Sequence, residues 1–294
     1  MKDCISCGLN KLIFFKKLKL RKKVSVYTKK KFYVYRCKEC KSFFTDNKKN
    51  LSYFKNDIYR KSTDPFFKKD HISNKINANI YNNYFLTHQF DHYNNLSKYS
   101  LFLNKKVLDF GSGTGSFVHL ISNQANFAVG IEQSTTLRKI HKIINKKSNL
   151  NIFKDFFESD KVIKKFDIIC CFSTIEHISN VPSLIQLFKK RLVKNGKLLL
   201  GCINSQDYRL YNKKYYKIFF RDSCSNYFSE YSLKNLLTNS GFKYEHCVYK
   251  ERYNYDNYLK YKLNNKFFFS KKNYKKNVEN KKVSDYMYLL FKKN

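Results

Sequence analysis

Short apolar runs alternate with helical patterns over most of the chain after Lys105. The runs are KVLDF, FAVGIE, NIFKD, FDIICCF and GKLLLGCI, and amphipathic stretches such as TTLRKIHKIINKK and VPSLIQLFKKRL lie between them. Strands that are apolar on both faces and are separated by helices indicate a parallel sheet covered on both sides. A further helix and strand follow in YSLKNLLTNSGFKYEHCVYK, and SDYMYLLFKK supplies a last strand. We therefore expect an α/β fold.

The chain before this pattern divides into two parts. Residues 1–45 hold CISCG and CKEC, and between them VSVYTKKKFYVYRC alternates with a period of two, which predicts a short hairpin between two cysteine turns. Residues 46–104 are rich in Asn, Lys and aromatic residues, and their pattern predicts a helix from about Lys75 to Leu103. The predicted organisation is a zinc ribbon at 1–45, a helical connector or cap at 46–104 and a main domain at 105–294. A Lys/Asn/Tyr-rich insertion at 251–282 precedes the last strand and is expected to be mobile or packed on the surface.

Four of the nine cysteines form two C-x-x-C pairs, Cys4 with Cys7 and Cys37 with Cys40. Four thiolates at this spacing predict a closed tetrahedral zinc site, in which the metal stabilises the fold and does not activate water. The alternative is a pair of redox dithiols, but neither pair has a thioredoxin-like strand and helix around it. The other five cysteines are interpreted as small core residues in a reducing compartment.

The first strand of the main domain runs into a glycine-rich loop in VLDFGSGTGSF, residues 107–117. A strand, such a loop and a helix place backbone N–H groups in a crevice at the carboxyl ends of the strands. A P-loop requires a lysine that Gly111 to Phe117 lacks, and a dinucleotide fingerprint is weakened because its third glycine comes one residue early, at Gly115. Asp109 directly before the loop would repel a pyrophosphate and suits a ligand with an ammonium or sulfonium charge. The charge favours S-adenosylmethionine.

Polar residues at the ends of the next strands fit the same ligand. Glu132 could accept hydrogen bonds from ribose hydroxyls, although it would serve NAD equally well. Asp155 could accept from an adenine amine, and Phe156 could stack on the ring or belong to the core. The predicted cofactor site comprises Asp109, Gly111, Ser112, Gly113, Gly115, Glu132, Gln133, Asp155, Phe156 and Ser173.

The order and spacing of VLDFGSGTGSF, GIE, KDFF, FDIICCFSTIEHI and LVKNGKLLLGCIN resemble the class I S-adenosylmethionine-dependent methyltransferases. The resemblance covers roughly residues 105–249 and 283–293. It implies a Rossmann-like sheet of seven strands, the last one antiparallel, with helices on both faces. It also carries cofactor contacts onto Asp109, Gly111, Gly113, Glu132 and Asp155.

The cysteine-paired N-terminus ahead of an EHI-type domain resembles, more narrowly, the sugar C-methyltransferases of deoxysugar and surface-polysaccharide synthesis. This resemblance implies a small-molecule acceptor, a nucleotide-linked sugar or a related precursor, that is methylated on carbon or oxygen. An RNA methyltransferase and a noncatalytic zinc-ribbon adaptor are the alternatives.

Three residues after the fourth and fifth strands are candidates for catalysis. His177 could act as a general base, since an imidazole ordinarily titrates near neutral pH, or it could be a structural histidine. Glu176 precedes it, and Tyr208 lies just after the fifth strand, where an acceptor would approach. Three histidines of the connector could line the cap, and their spacing selects none of them: His71, His88 and His92.

The formal net charge of +37 would ordinarily indicate a nucleic acid or an anionic membrane as partner. Lysine greatly outnumbers arginine, Asn, Ile, Phe and Tyr are abundant, and the lysines are scattered, as expected from an AT-rich coding sequence. We therefore interpret most of the charge as compositional background, and a nucleic acid is disfavoured. No apolar stretch approaches the roughly 18 to 20 residues that cross a bilayer, and the N-terminal apolar run is too short for a signal peptide. The expected location is the cytoplasm, and the oligomeric state is left open.

Overall fold

The computed structural model describes residues 3–19, 31–46, 54–55, 75–97, 101–144, 150–221, 223–262 and 267–294. Its strands in chain order are β1 (Leu12–Lys19), β2 (Lys31–Cys37), β3 (Phe43–Thr45), β4 (Lys106–Phe110), β5 (Phe127–Ile131), β6 (Leu150–Phe153), β7 (Phe166–Phe172), β8 (Leu192–Ile203), β9 (Asn226–Tyr227), β10 (Phe242–Lys250) and β11 (Tyr286–Lys293). The helices are α1 (Lys75–Ser97), α2 (Ser116–Ile121), α3 (Thr135–Ile144), α4 (Phe156–Ser159), α5 (Val181–Arg191), α6 (Tyr216–Phe219), α7 (Glu230–Asn239), α8 (Tyr255–Tyr261) and α9 (Tyr274–Asn280). Three short 3₁₀ helices span Ile175–His177, Tyr208–Tyr211 and Lys213–Tyr215.

Seven of the strands form one sheet in the order β10-β11-β8-β7-β4-β5-β6. From β4 the chain moves outward through β5 and β6 and then returns to β7 on the other side of β4, with parallel pairing throughout this part. Val107, Leu108 and Ile169 in the central strands are fully buried, which explains their apolar character on both faces. The order of the strands reverses between β4 and β7, and ligands of open α/β sheets bind at the carboxyl ends beside such a reversal. The Rossmann-like seven-stranded fold predicted from the sequence is confirmed.

The chain forms two compact units. The loop unit consists of residues 50–174, 187–199 and 293–294, and the cysteine unit consists of residues 1–49, 175–186 and 200–292. Each is described below by itself. Among the described helices, none has both the length and the apolar character that a membrane crossing requires.

In the loop unit, helix α1 covers α2 and α3. Ala78 packs with Leu137 and Ile140, and His92 stacks on Phe172 with a centroid distance of 4.7 Å. The connector therefore contributes to the main core. Helix α1 is described as far as Ser97, and Leu101 and Phe102, which the sequence placed near the end of the predicted helix, are non-helical and buried.

The N-terminal hairpin of the cysteine unit belongs to a four-stranded sheet in the order β1-β2-β3-β9. Strands β1 and β2 pair antiparallel from Leu12 opposite Cys37 to Lys19 opposite Lys31, which matches the predicted hairpin. Strand β3 pairs with β9, so that Phe43 lies opposite Tyr227. The sheet is thus completed by a segment far along the chain. The predicted domain boundary after residue 45 stays a prediction.

Residues 251–282 carry α8 and α9, and their aromatic side chains pack together with Tyr208. The buried cluster comprises Tyr208, Tyr258, Phe269, Tyr274 and Val278. Burial of these aromatic side chains stabilises the packing of the segment on the rest of the cysteine unit.

Candidate functional site

The four cysteines predicted to bind zinc lie together. The Sγ atoms of Cys4, Cys7, Cys37 and Cys40 all lie within 4.8 Å of one another, and Cys4–Cys40 and Cys7–Cys37 are 3.5 and 3.7 Å apart. Four sulfurs at about 2.3 Å from a tetrahedral zinc are about 3.8 Å apart. The hydrogen bond between Cys4 and Cys40 lowers the pKa of Cys40 to about 5 and raises the pKa of Cys4, so one thiolate of this pair is favoured. The geometry and the donor set both fit zinc.

The two cysteine turns have the same backbone construction. In the first, Gly8 N–H donates to the Cys4 carbonyl, and in the second Lys41 N–H donates to the Cys37 carbonyl. The residue after each pair is left-handed, with φ 69° at Gly8 and 61° at Lys41. Each of the two equivalent turns thus contributes two sulfurs to the cluster.

The second turn is anchored to the start of helix α7. Ser229 Oγ donates to the Cys40 carbonyl at 2.6 Å, and Ser229 also caps α7 by accepting from Ser232 N–H at 3.1 Å. Both residues are buried. The position of the cysteine cluster therefore depends on a helix from the C-terminal half of the chain.

In the loop unit, the glycines at 111 and 115 are fixed by close packing. Both have a left-handed backbone, with φ 81° and 79°. A Cβ at Gly111 would overlap the Thr174 side chain, which follows β7, and a Cβ at Gly115 would lie 2.7 Å from His141 Nδ1. The loop is held tightly between the ends of the strands, as a binding loop beside the reversal point requires.

Gly113 differs from these two glycines because a Cβ there would meet nothing within 4 Å. Its N–H donates to Glu132 Oε2 at 2.9 Å, and Ser134 N–H donates to Glu132 Oε1 at 2.8 Å. Glu132 therefore connects the loop to the end of β5. Each carboxylate oxygen has two lone pairs, so these bonds do not exhaust its capacity to accept from a hydroxyl.

Asp109 is 3% exposed at the end of β4. Burial and, to a smaller extent, the neighbouring Glu132 carboxylate raise the pKa of this carboxyl to about 8. A cation near Asp109 would have the opposite effect and stabilise the ionised form. The electrostatics at the start of the loop therefore favour a positively charged ligand.

Ser112 is also buried, and its hydroxyl has no hydrogen-bond partner. A Cβ at Gly130 in β5 would overlap this hydroxyl, so the absence of a side chain at Gly130 leaves room for Ser112. A buried polar group without a partner costs about 1 to 3 kcal/mol and is a candidate ligand contact. The acidic group, the unpaired hydroxyl and the open space at Gly113 together fit an S-adenosylmethionine.

The remaining predicted cofactor contacts already have roles within the loop unit. Gln133 Nε2 donates to the Lys154 carbonyl at 2.9 Å. Asp155 Oδ1 caps α4 by accepting from Glu158 N–H at 3.0 Å. These bonds give Gln133 and Asp155 structural roles, and their contacts with a cofactor stay predictions.

Phe156 and Ser173 lie in contrasting environments. The Phe156 ring is buried, stacks on Phe110 at 5.8 Å and has the Arg191 guanidinium 5.2 Å from its centroid. Ser173 is exposed directly after β7 and has φ 48°, a strained conformation for a residue with a side chain. Stacking of Phe156 on adenine therefore stays a prediction.

Glu176 and His177 belong to the cysteine unit. Glu176 is 1% exposed, and its Oε1 accepts from Ile203 N–H at 3.0 Å whereas its Oε2 has no hydrogen-bond partner. His177 is half-buried, and its Nδ1 lies 2.8 Å from the Ser223 carbonyl. The carbonyl accepts only from a protonated Nδ1, which leaves Nε2 as the basic nitrogen in the neutral ring.

Tyr208 is buried in the aromatic cluster of the cysteine unit. Its hydroxyl lies 2.9 Å from the Tyr274 hydroxyl, and burial raises its pKa well above the usual value. The structure thus gives Tyr208 a packing role. Among the connector histidines, His92 packs on Phe172, whereas His71 and the side chain of His88 lie outside the described residues.

The sequence did not identify a fully buried arginine, Arg209, at the centre of an acidic network. Its Nε donates to Asp207 at 2.8 Å, its Nη1 lies 3.3 Å from Glu251, and its Nη2 lies 4.0 Å from Asp285. The acids come from positions far apart along the chain, so no local spacing signals the network. An arginine two residues after an aspartate, Asp207, is the local sign of the network.

Comparison with known proteins places this geometry in a family. Residues 81–247, more than half of the chain, match the family described as Methyltransferase domain. A ubiquinone biosynthesis O-methyltransferase of Glaesserella parasuis is 31% identical over 108 residues, which cover 34% of this chain and 46% of that protein. A protein of the same name from Pelagibacter ubique is 30% identical over 103 residues, covering 34% of this chain and 43% of that protein. The chain therefore spans less than half the length of these curated relatives.

Two solved structures share the fold. Magnesium protoporphyrin IX methyltransferase from Synechocystis PCC 6803, solved with bound SAH, is 12% identical, has a TM-score of 0.50 and is matched over 83% of this chain and 98% of that chain. A Haloferax volcanii complex of the Trm112 methyltransferase activator with a putative methyltransferase gives 10% identity, a TM-score of 0.51 and coverage of 70% and 92%. At these identities the likeness concerns the fold alone. The family match and the strand order agree, and the chain belongs to the class I S-adenosylmethionine-dependent methyltransferases.

Proposed function

We propose that this protein transfers a methyl group from S-adenosylmethionine to a small-molecule acceptor. The observation that carries the proposal is the buried Asp109 carboxyl at the head of the glycine loop. A cation beside this carboxyl would stabilise its ionised form, whereas the pyrophosphate of a dinucleotide would oppose its ionisation. Family membership favours the same cofactor.

Each residue of the proposed cofactor site would make a different contact with the cofactor. Glu132 would accept from ribose hydroxyls, Ser112 would give its buried hydroxyl a partner, and Gly113 would let the ligand approach the backbone. When bound, the cofactor supplies an electrophilic methyl carbon on a sulfonium. The loop aligns that methyl group, which lowers the entropic cost of an in-line attack.

An oxygen acceptor is the first candidate because the curated relatives are named O-methyltransferases. A nucleotide-linked sugar rests only on the sequence resemblance of the N-terminus, and the relatives described above do not support it. Both classes belong in an acceptor screen. RNA methylation is an outcome of the same screen.

His177 is the residue we propose as general base. Its orientation is fixed by the Ser223 carbonyl, and Nε2 is the nitrogen that would take a proton from the acceptor. Glu176 is buried and bonded to the backbone, so it is proposed as a positioning residue. The buried hydroxyl of Tyr208 argues against an acid–base role.

We further propose that Cys4, Cys7, Cys37 and Cys40 bind a structural zinc ion. All four sulfurs are donors, which leaves no coordination position for a substrate. The other five cysteines are free thiols in the structure, and this supports our proposal of a reducing compartment such as the cytoplasm. The predicted division into a ribbon, a connector and a main domain is part of the same proposal.

Calorimetric titration of the purified protein with S-adenosylmethionine tests the cofactor assignment, and NAD is the control ligand under identical conditions. Saturable binding of S-adenosylmethionine alone is the expected result. Binding of NAD instead, or of neither ligand, would contradict the proposal. Transfer of labelled methyl groups to phenolic, sugar-nucleotide and RNA acceptors would then identify the acceptor class.

A further inference from the structure

A cavity of about 310 Å³ lies in the cysteine unit. The N-terminal sheet contributes Phe15, Arg36 and Phe43 to its wall, and the segment after β8 contributes Ser205 and Tyr216. Residues 281–283 complete it. Its volume is at the lower end of the range for small-molecule sites.

Two hydrogen-bonding groups in this wall are buried without a partner. Ser205 is 4% exposed, and among the residues that the structure describes its Oγ makes no hydrogen bond; the buried Nε of Arg36 likewise has no partner among them. Such groups cost about 1 to 3 kcal/mol each when they stay unsatisfied. Both are donors, and both line the same cavity, so a ligand with acceptor atoms would satisfy them together.

The charges of the wall favour an anion. Arg36 and two lysines, Lys281 and Lys282, line the cavity, although Lys282 Nζ lies 3.7 Å from Glu230. The lining acid, Asp207, accepts from Arg209 at 2.8 Å and from Tyr215 at 3.2 Å. The carboxylate is thus already paired, whereas the guanidinium of Arg36 has an unpaired donor.

The wall also contains three aromatic rings that are tilted against one another. Phe15 lies at 4.9 Å from Phe43 and 5.2 Å from Tyr216, measured between ring centroids, and the Arg36 guanidinium lies 5.4 Å from the Phe43 centroid. Aromatic walls of this kind favour a planar apolar body. The anion-binding donors and the rings lie side by side.

We propose that this cavity binds a small organic anion, a carboxylate or phosphate attached to a planar apolar body. Arg36 and Ser205 donate to the anion, and Phe15, Phe43 and Tyr216 contact the body. The proposal concerns binding and holds independently of methyl transfer, so its failure and the failure of the proposed function are measured separately.

The test is titration of the full-length zinc-loaded protein with phenyl phosphate, benzoate, inorganic phosphate and benzyl alcohol at two salt concentrations. We expect saturable binding of the two aromatic anions that persists at the higher salt, and binding at least about 10-fold weaker for benzyl alcohol and for inorganic phosphate, because a charge-assisted hydrogen bond contributes about 1.5 to 3 kcal/mol. Tighter binding of phenyl phosphate than of benzoate assigns the anion as a phosphate, and the reverse order assigns it as a carboxylate. Equal binding of inorganic phosphate and phenyl phosphate would overturn the proposal.

Variants locate the binding in the cavity. Arg36→Met keeps an unbranched apolar side chain but removes the charge and the donors, and it should weaken binding of the aromatic anion about 10-fold or more. Ser205→Ala should weaken binding of the aromatic anion by a smaller factor, and it provides a second test of the site if Arg36→Met folds poorly. Lys17→Met is the matched control, since Lys17 is an exposed cation of β1 and is absent from the cavity wall. Equal losses in Lys17→Met and Arg36→Met would show nonspecific attraction to the basic chain and would refute the site.

Discussion

The cysteine cluster and the glycine loop both rely on left-handed backbone, but they present different atoms to a ligand. The cluster presents four side chains from two equivalent turns, with Gly8 and Lys41 left-handed after the second sulfur of each. The loop presents backbone N–H groups and a carboxyl, and its glycines are required by neighbours such as Thr174 and His141. A side-chain site can therefore be recognised from spacing alone, whereas a backbone site depends on what packs around it.

The largest loss of stability is expected in the cysteine cluster, where the proposed zinc ion connects the two cysteine turns. Cys37→Ser removes one of four sulfurs, and structural zinc contributes about 10 to 16 kcal/mol of apparent binding free energy in small zinc domains. We expect the variant to lose stoichiometric zinc, measured by elemental analysis, and to unfold at a markedly lower temperature. Cys247→Ser, outside the cluster, is the control and should retain zinc. A wild-type preparation stripped of zinc that is equally stable would contradict the structural role.

The next largest effect is a difference in stability between alanine substitutions at two glycines of the loop. Gly111→Ala combines a left-handed backbone with overlap onto Thr174, and it should destabilise the protein by about 3 kcal/mol or more. Gly113→Ala has the strained backbone but open space, so its cost should be only about 1 to 2 kcal/mol. Chemical denaturation measures both. Equal destabilisation would mean that close packing does not fix the loop.

Burial of Asp109 predicts a pH dependence of stability that originates in the glycine loop. Its pKa is about 8 in the folded protein against a reference of 3.8, so the folded state retains a proton that the unfolded state releases. The free energy of unfolding should therefore fall as the pH rises from about 5 to 7, by up to about 1.4 kcal/mol per pH unit from this group. Asp109→Asn should flatten that dependence. A variant whose pH profile equals that of the wild type would show that Asp109 titrates normally.

The smallest effect concerns ligand affinity. Glu132→Gln keeps the size of the side chain but replaces one acceptor oxygen, and it should weaken S-adenosylmethionine binding about 10-fold, or about 1.4 kcal/mol. Calorimetry measures the affinity, and a thermal melt checks the fold, since Glu132 also accepts from Gly113 and Ser134. Unchanged affinity in a folded variant would remove Glu132 from the proposed site.

The sequence predicted features that depend on local pattern. Apolar runs separated by amphipathic helices gave the seven-stranded sheet, and paired cysteines gave a cluster whose sulfurs do meet. The prediction for Tyr208 illustrates the limit, because its position after β8 suggested an acceptor contact whereas the chain buries it among rings from residues 255–278. Packing partners that are distant in the sequence follow no periodicity or motif, so the sequence pattern does not predict their contacts.

The same limit applies to Arg209 and to His141. Arg209 is surrounded by acids from three separate segments, and His141 lies behind Gly115 with its Nδ1 3.2 Å from the Thr114 carbonyl. Neither environment follows from neighbouring residues. Both residues were assigned no role from the sequence because their functions are set by tertiary contacts alone.

The pairing of β3 with β9 has a consequence for how the protein is made on the ribosome. Thr45 and its hydrogen-bonding partner Cys224 are 179 residues apart, so translation at about 5 to 20 residues per second separates them by roughly 10 to 40 s. For most of that interval all four cysteines have already left the ribosome, yet the edge of β3 that will pair with β9 has no strand to pair with. Metal capture by the nascent chain can therefore precede completion of the sheet, and the cell's zinc supply would act on an unfinished protein.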